Sequence, residues 1–365
     1  MKISTALIAL AIGGVSAHAK GSVRGSRSAL RGKQRFVVVT DAGNFGDDFW
    51  ALSFLFSHRE QIDIQYVLAS TGDADSRLSI VTKYLYNFGD AVTQGVPIGM
   101  GTVSSNATSE CLTADPQGYL VAVPCDSNST QETFPDPLLR PWAENMDLSS
   151  YSGTIYNKGN EGLDHLKKVL NDVDPDGIPT TLLVICAPTD VARILDDDPD
   201  ILRRNNINVV LMGGTLTPGG NEFNFGANPN ATNQVLKAAK NPVVVTAALG
   251  PDTVMSTEQW LTVLSGDSSI SLSQTNVDLA LANLGTHKEV CNGRTDWIFD
   301  GAAAVASTRW YDEWFSMRQM DVSVERNGVI VEDSSGDGAS MTLIDGFQSQ
   351  GAANAFREEL ALSVA

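Results

Sequence analysis

Short apolar runs rich in β-branched residues alternate along this chain with segments of helical periodicity. Five runs lie at residues 36–40, 64–69, 181–186, 208–212 and 242–246, and helical patterns lie at residues 162–170, 190–195 and 231–239. Uninterrupted apolar runs of this length are typical of buried strands, and strands separated by helices form right-handed βαβ units. The pattern therefore predicts an α/β fold built on an open, mostly parallel sheet flanked by helices.

One segment, residues 104–151, breaks this alternation with clusters of Pro, Asn and Ser. Long irregular segments in compact domains are often lids or binding loops. We therefore expect this insert to form a rim or lid beside the functional site.

The N-terminus carries an export pattern. Residues 1–19 contain a charged start, a short apolar core and the small-x-small sequence Ala17-His18-Ala19, which is the order of a secretory signal peptide. The apolar core is too short to span a membrane, and no later segment approaches the roughly 20 apolar residues that a span requires. We expect a secreted, extracellular protein that does not interact with a membrane.

The next segment, residues 20–35, is rich in Gly, Ser and Arg and holds almost no large apolar side chain. Such a composition predicts a flexible basic leader. Residues 36–365 show no internal boundary, so we expect them to form a single domain.

Net charge excludes one class of partner. The chain carries 25 Lys and Arg against 43 Asp and Glu, and seven of the basic residues precede Phe36. Residues 36–365 therefore hold a formal charge of −25, which repels phosphate backbones. We do not expect a nucleic acid as a partner.

Cysteine and asparagine patterns agree with export. Cys111 and Cys125 flank a loop-like part of the insert and form the natural disulfide pair in an oxidising compartment, whereas the pairing of Cys186 and Cys291 stays open. Glycosylation sequences of the Asn-x-Thr type begin at Asn106, Asn128 and Asn230.

Three carboxylates directly follow the first apolar run. Asp41, Asp47 and Asp48 lie in the sequence Asp-Ala-Gly-Asn-Phe-Gly-Asp-Asp, ahead of a helix-like segment. Ligands collect at the carboxyl ends of strands in α/β sheets, and acids this close repel one another unless a cation neutralises them or one is protonated. Because hard carboxylate oxygens suit Ca²⁺ or Mg²⁺, the motif predicts a metal site. The alternative is a solvated acidic turn in which Asp48 caps the helix.

Polar residues also follow other strand ends and are expected to face the same cleft. Asp190 comes shortly after the run that ends at Cys186. Asn221, Glu222 and Asn224 come shortly after the run at residues 208–212.

Two further acids have ordinary alternative roles. Asp300 precedes an apolar helix start, where an Asp often serves as the N-cap. Asp73 follows the run at residues 64–69, where Gly-Asp is also common turn chemistry.

Together these motifs resemble the inosine–uridine-type nucleoside hydrolase family. The signature of that family is an apolar strand followed by Asp-x-Asp-Pro-Gly-x-Asp-Asp, which residues 41–48 match loosely. The similarity continues through residues 186–195, Val210-Leu-Met-Gly-Gly214, Glu222-Phe-Asn224, Asn228-Pro-Asn-Ala and Asp300. It covers nearly all of residues 36–365 and implies a Rossmann-like nucleoside hydrolase fold with one catalytic domain, in a divergent secreted member.

The resemblance implies roles for the acids. It assigns Asp41, Asp48 and Asp300 as side-chain ligands of a Ca²⁺ ion, with a backbone carbonyl near Cys186 as a further ligand. It makes Asp47 the general base, which takes a proton from the attacking water.

The resemblance also implies contacts with the substrate. It places Asp73, Glu222 and Asn224 at the ribose hydroxyls, with Asn221 in place of an Asn that the family carries several residues earlier. We expect Trp142, in the insert, to be the aromatic side chain that stacks on the base.

The chain departs from the family pattern near the metal site and beside the base. Two residues are added between Asp41 and the Asp47-Asp48 pair relative to the usual spacing, so the metal geometry can differ. Phe299 stands where many base-nonspecific members carry a His that protonates the leaving base, and we expect Phe299 to pack in the core. Members that prefer purines can activate the base by aromatic stacking instead.

The resemblance therefore predicts a Ca²⁺-dependent hydrolase that scavenges ribonucleosides for purine salvage by cleaving them to ribose and free base. This cleavage develops positive charge on the ribosyl ring, which acids stabilise. One alternative is a catalytically weak or inactive protein that binds a sugar or nucleoside, and another is a hydrolase of a modified nucleoside or other glycoside. A homo-oligomer is compatible with the family, although no sequence feature marks an interface.

Overall fold

Ten strands form one sheet through the molecule, and two more strands form a separate hairpin. In chain order the strands are β1 (Gln34–Thr40), β2 (Ile62–Ala69), β3 (Ile98–Met100), β4 (Glu110–Ala114), β5 (Leu120–Pro124), β6 (Ile155–Tyr156), β7 (Thr180–Ile185), β8 (Asn208–Met212), β9 (Val243–Val245), β10 (Phe315–Val324), β11 (Ile330–Glu332) and β12 (Ala339–Phe347). The computed structural model describes residues 32–43, 47–71, 74–102, 110–114, 120–124, 146–253, 297–308 and 310–364.

The order across the sheet is β11-β10-β12-β9-β8-β7-β1-β2-β3-β6. Every neighbouring pair from β12 to β6 is parallel, whereas β10 is antiparallel to both β12 and β11. This confirms the predicted α/β fold with an open, mostly parallel sheet.

Helices connect most of the parallel strands. They are α1 (Asp47–Ser57), α2 (Ala74–Phe88), α3 (Asp90–Thr93), α4 (Glu161–Asn171), α5 (Thr189–Asp197), α6 (Ile201–Arg204), α7 (Phe223–Ala227), α8 (Pro229–Ala238), α9 (Gly250–Thr253), α10 (Phe299–Ala306) and α11 (Gln350–Val364). All five predicted strands and all three predicted helices are present, with bounds within two residues of those expected.

The start of β1 corrects the predicted boundary of the leader. Gln34 and Arg35, which we placed in a flexible segment, both pair with β2, and Arg35 also pairs with β7. The Arg35 guanidinium also contacts the Asp172 carboxylate at 3.0 Å. An ordered strand therefore begins two residues before residue 36, while the predicted signal peptide and most of the leader lie outside the described residues.

The insert at residues 104–151 contains regular structure that the sequence pattern did not predict. Strands β4 and β5 pair as an antiparallel hairpin, and a 3₁₀ helix covers Leu148–Ser150. β5 lies against α7, which is the helix that follows Glu222. The rest of the insert lies outside the described residues, and its role as a rim or lid stays a prediction.

Apolar layers cover both faces of the sheet. Phe36 and Val38 of β1 pack on one side with α1, α2 and α10, while Val37 and Val39 pack on the other side with α4, α5 and α8. Burial on both faces explains why β1 is a continuous apolar run rather than an alternating one. The chain from Lys33 to Ala365 forms one compact unit, and no helix in the described part is long and apolar enough to cross a membrane.

Candidate active site

The first part of the site is the end of β1. Asp41 follows the last residue of that strand, and Asp47 and Asp48 occupy the first turn of α1. Negative side chains are favourable at a helix N-terminus, where the backbone amides carry partial positive charge. The Thr40 hydroxyl donates a short hydrogen bond to Oδ1 of Asp48 and accepts one from the backbone amide of Ala42 at 3.3 Å. The carboxylate of Asp48 is thus tied to the strand that precedes it.

A second helix brings in another carboxylate. α10 has the sequence Phe-Asp-Gly-Ala-Ala-Ala-Val-Ala, and its small buried side chains allow it to pack on α1. Asp47, Asp48 and Asp300 each offer a carboxylate oxygen within 4.8 Å of the others. The alternative role of Asp300 as an N-cap is wrong, because Ile298 occupies that position and Asp300 lies inside the first turn.

The acids of the site are deeply buried. Asp41 and Asp47 are each 9 % exposed, while Asp48 and Asp300 are each 4 % exposed. The alternative of a solvated acidic turn is therefore wrong. Asp41 is not in the group of three that share the 4.8 Å separation, but its charge acts on both Asp48 and Asp300.

Burial and mutual repulsion change the acidity of these groups. Desolvation, followed by the charges of neighbouring acids, raises the pKa of Asp48 and Asp300 well above the ordinary value. Desolvation also raises the pKa of Asp41 to about 6, although the attraction of Arg77 opposes this shift. We call these four residues, Asp41, Asp47, Asp48 and Asp300, the acid cluster. Four buried anions so close together are unfavourable, so the acid cluster must retain protons or gain positive charge.

The donor set fits a hard divalent cation. Carboxylate oxygens are the ligands that Ca²⁺ and Mg²⁺ prefer, and the three oxygens within 4.8 Å converge from two helices. Cys186 follows β7 and lies within electrostatic reach of Asp41. Burial raises the pKa of its thiol, which donates to the Ala187 carbonyl at 3.5 Å. A neutral thiol is a poor metal ligand, so only the predicted role of a backbone carbonyl at this position stays open.

Glu222, a predicted substrate-binding residue, stabilises the backbone that follows β8. Its carboxylate accepts backbone N–H groups from Gly214 at 2.6 Å and from Asn224 and Phe225 at 2.9 Å each. Gly214 has φ +79°, and a Cβ there would lie 2.4 Å from Cδ1 of Ile330. Glycine is therefore required for the amide of residue 214 to approach Glu222.

The two predicted asparagines beside Glu222 in the sequence differ in burial. Asn224 is buried, and its side-chain amide donates to the Met212 carbonyl at 3.3 Å. Asn221 is exposed. The charge of Asp41 adds to the burial that raises the pKa of Glu222, so Glu222 lies within electrostatic reach of the acid cluster.

Several predicted residues are not described by the structure. Asp73 and Trp142 lie outside the described residues, and so do Cys125 and Cys291. The predicted Cys111–Cys125 disulfide is therefore untested. Cys186 is a free, buried cysteine.

Phe299 packs against the core, as expected. The ring is only partly buried at the edge of the core, and its centroid lies 5.5 Å from that of Trp297 in an edge-to-face arrangement. Gly250 provides space beneath it, because a Cβ there would lie 3.0 Å from the Phe299 ring. Phe299 therefore offers an aromatic surface next to Asp300.

Asp190 has a structural role that its position after a strand did not reveal. Its carboxylate accepts the Ser70 hydroxyl at 2.7 Å and the Thr102 amide at 3.1 Å. These contacts join the segments after β2, β3 and β7. Asp190 therefore fixes the edge of the sheet on which the site is built.

Arg77 is the charged residue at the site that sequence reasoning missed. It lies on the buried face of α2 and is 1 % exposed. Its neighbours on that face are Ala74, Leu78 and Val81, which follow the spacing of one side of a helix. This spacing is the sequence signal from which the burial of Arg77 could have been predicted.

The fold and the cluster define an α/β protein with a buried carboxylate site at the carboxyl edge of its parallel strands. Residues 36–355 match the family model described as inosine-uridine preferring nucleoside hydrolase. The chain therefore belongs to this family, whose members are N-glycosyl hydrolases of the purine and inosine–uridine type. No curated protein sequence matches the chain closely enough to count as a relative.

Solved structures show the same fold at low sequence identity. An inosine-uridine preferring nucleoside hydrolase from Bacillus anthracis has a TM-score of 0.61 and 16% identity, with 90% of this chain and 99% of that chain covered. An inosine-guanosine nucleoside hydrolase has a TM-score of 0.65 and 15% identity, with 90% of this chain and 98% of that chain covered. A purine-preferring ribonucleoside hydrolase from Gardnerella vaginalis has a TM-score of 0.63 and 13% identity, with 91% of this chain and 99% of that chain covered.

Proposed function

We propose that this protein is a secreted, Ca²⁺-dependent hydrolase that cleaves ribonucleosides to ribose and free base. The observation that carries the proposal is the buried group of Asp47, Asp48 and Asp300, whose oxygens lie within 4.8 Å of one another, in a chain that belongs to the nucleoside hydrolase family. A binding protein gains nothing from an additional carboxylate that repels its neighbours, so this arrangement favours chemistry.

Two assignments of the acids are compatible with the geometry. Asp48 and Asp300 hold the ion in both. The family resemblance makes Asp41 the third carboxylate ligand and leaves Asp47 as the general base, whereas the 4.8 Å group makes Asp47 the third ligand. A bound calcium ion supplies positive charge that orients the ribose and the water at the site.

The chain's own groups then act on the ribosyl ring. The base accepts a proton from the attacking water, and the buried carboxylates stabilise the positive charge that develops on the ring as the N-glycosidic bond breaks. Glu222 already accepts three backbone N–H groups. Because a carboxylate has about four lone-pair sites, one remains for a ribose hydroxyl.

The aromatic surface beside Asp300 supports a preference for purines. Phe299 cannot donate a proton to the leaving base. Its partly exposed ring and the neighbouring Trp297 can instead stack on a base, and a purine offers the larger surface. The purine-preferring ribonucleoside hydrolase with this fold supports the proposed preference.

The test is a reducing-sugar assay of the purified protein with inosine, adenosine, guanosine, uridine and cytidine, run with Ca²⁺ and with a chelator. Chelator-sensitive ribose release, faster with purines, is the expected result. Asp197→Asn serves as the control, because Asp197 is 73% exposed and pairs only with Lys167 at 3.4 Å among the described residues. Calcium binding without turnover would instead support the sugar- or nucleoside-binding protein.

Paired variants distinguish the two assignments of the acids. If Asp47 is the base, Asp47→Asn loses about a thousandfold in kcat and keeps its calcium affinity, whereas Asp41→Asn loses calcium affinity. If Asp47 is the third ligand, Asp47→Asn loses calcium affinity and Asp41→Asn keeps it. Calcium titration by calorimetry measures both variants.

The proposed secretion rests on residues 1–19. Expression with the complete N-terminus in a secreting host, followed by N-terminal sequencing of protein from the medium, is expected to give a chain that begins at or after Lys20. Retention of an uncleaved chain inside the cells would contradict it.

A further inference from the structure

A fully buried arginine lies beside the acid cluster. Arg77 is 1 % exposed and shares the buried face of α2 with Leu78 and Val81. Transfer of a guanidinium from water into a protein interior costs several kcal/mol, and such burial persists only where opposite charges compensate it. Nearby acids must therefore compensate the charge of Arg77.

The sheet places Arg77 next to the end of β1. Thr40 pairs with Ala69 at the ends of β1 and β2, and the Ser70 amide donates to the Thr40 carbonyl at 2.8 Å. α2 begins at Ala74, five residues after the end of β2 at Ala69. Its first turn, which ends at Arg77, therefore starts near the edge of the sheet where β1 ends.

The electrostatic contacts agree with this placement. The charge of Arg77 lowers the pKa of both Asp41 and Asp48, against the larger effect of burial. Arg77 is thus a buried positive charge within electrostatic reach of Asp41 and Asp48.

We propose that Arg77 is a positioning residue that balances the buried acids when no metal ion is bound and thereby limits how strongly the site binds a divalent cation. The metal part of this inference rests on the proposed function. Arg77 supplies one positive charge permanently, so the ion has less negative charge left to neutralise. Removal of Arg77 leaves the acids unbalanced, which makes the protein less stable without calcium and more dependent on it.

The experiment compares Arg77→Met with Arg77→Lys and with the matched control Arg35→Met. Arg35 is also buried, at 6 % exposure, but it lies at the opposite end of β1 and pairs with Asp172. Thermal unfolding is measured in chelator and in Ca²⁺, and calorimetry gives the calcium affinity. We expect Arg77→Met to melt lower in chelator, to gain a larger Tm rise from calcium than wild type, and to bind calcium about tenfold more tightly.

The controls separate charge from packing. Arg77→Lys, which keeps the charge, is expected to show a calcium-induced Tm rise near that of wild type. Arg35→Met is expected to lose stability equally with and without calcium. A calcium-induced rise in Arg77→Met that is no larger than that of wild type would overturn the proposal.

A double-mutant cycle tests Arg77 independently of any metal. In chelator, Asp41→Asn is expected to restore part of the Tm lost in Arg77→Met, because it removes one of the unbalanced charges. The double variant removes one positive and one negative charge, and it is expected to fold even if Arg77→Met alone does not. Additive losses, or a double variant no better than Arg77→Met, would overturn the proposal. If wild type binds no calcium, the proposed metal dependence fails, and this cycle alone decides the role of Arg77.

Discussion

The Thr40 hydroxyl is the contact that fixes Asp48, because it joins the last residue of β1 to a carboxylate in the first turn of α1. Thr40→Val keeps the shape of the side chain and removes this donor. We expect a loss of about 1–2 kcal/mol in the free energy of unfolding and weaker calcium binding, since Asp48 then loses its orientation. Denaturant unfolding and calcium titration measure the two effects.

Thr232→Val is the matched control for Thr40→Val. Thr232 is fully buried on α8, and its hydroxyl donates to the Asn228 carbonyl at 3.1 Å, away from the acid cluster. It should lose stability without any change in calcium affinity. Equal effects of the two variants on calcium would show that Thr40 has no special role.

A second prediction at the scale of single residues concerns Phe299. Phe299→His places a titratable side chain directly before Asp300, where base-nonspecific members of the family carry a proton donor. We expect activity on uridine and cytidine to rise relative to inosine, because pyrimidines offer less stacking surface and depend more on protonation of the leaving group. The ratio of kcat/KM values across the nucleoside panel measures the change, and a constant ratio would contradict it.

At the scale of secondary structure elements, Asp190 holds the ends of three strands together. It accepts the Ser70 hydroxyl after β2 and the Thr102 amide after β3, and it lies in α5, which follows β7. Asp190→Ala leaves the buried Ser70 hydroxyl and the partly buried Thr102 amide without this acceptor, so we expect a loss of about 3 kcal/mol in stability. Ser70→Ala removes one donor only and should cost less. Chemical denaturation of both variants tests this order.

The elements that carry the site were predictable because the apolar pattern gave the parallel strands, and parallel strands bring their carboxyl ends to one edge. That reasoning placed Asp41, Asp47 and Asp48 at this edge, whereas only the resemblance to the nucleoside hydrolase family grouped them with Asp300. It missed β10 because that strand mixes apolar with exposed charged residues such as Arg318, and it missed β3 and β6 because they have only three and two residues.

The polar contacts within the site were harder to predict, because they depend on tertiary packing. An arginine in a helix is ordinarily exposed, so the residue type argued against burial of Arg77 and only its helical spacing with Leu78 and Val81 favoured it. The sequence placed Glu222 at the substrate, but its bonds to the amides of Gly214 and Phe225 depend on the turn that follows β8. Only the folded backbone brings these amides to one carboxylate.

At the scale of the whole molecule, the buried acids make stability depend on pH and on calcium together. Burial raises the pKa of Asp41 to about 6 and raises those of Asp48, Asp300 and Glu222. In the unfolded chain these groups lose their protons near pH 4. Between about pH 4 and 6 the folded protein therefore binds more protons than the unfolded chain, and stability falls as pH rises through this window.

In chelator, we expect the Tm to decrease from about pH 4 to beyond pH 6, with Asp41 alone accounting for about 3 kcal/mol. Calcium binds the ionised carboxylates, so the Tm rise that it produces should grow over the same range. Arg77, whose guanidinium stays charged throughout, limits the decrease by attracting Asp41 and Asp48. Asp41→Asn should therefore flatten the dependence of Tm on pH in chelator.

Calorimetric scans at fixed ionic strength measure this dependence of Tm on pH. A Tm in chelator that rises from pH 4 to 6 would mean that exposed acids with lowered pKa values, such as Asp198, dominate the proton balance instead of the buried cluster.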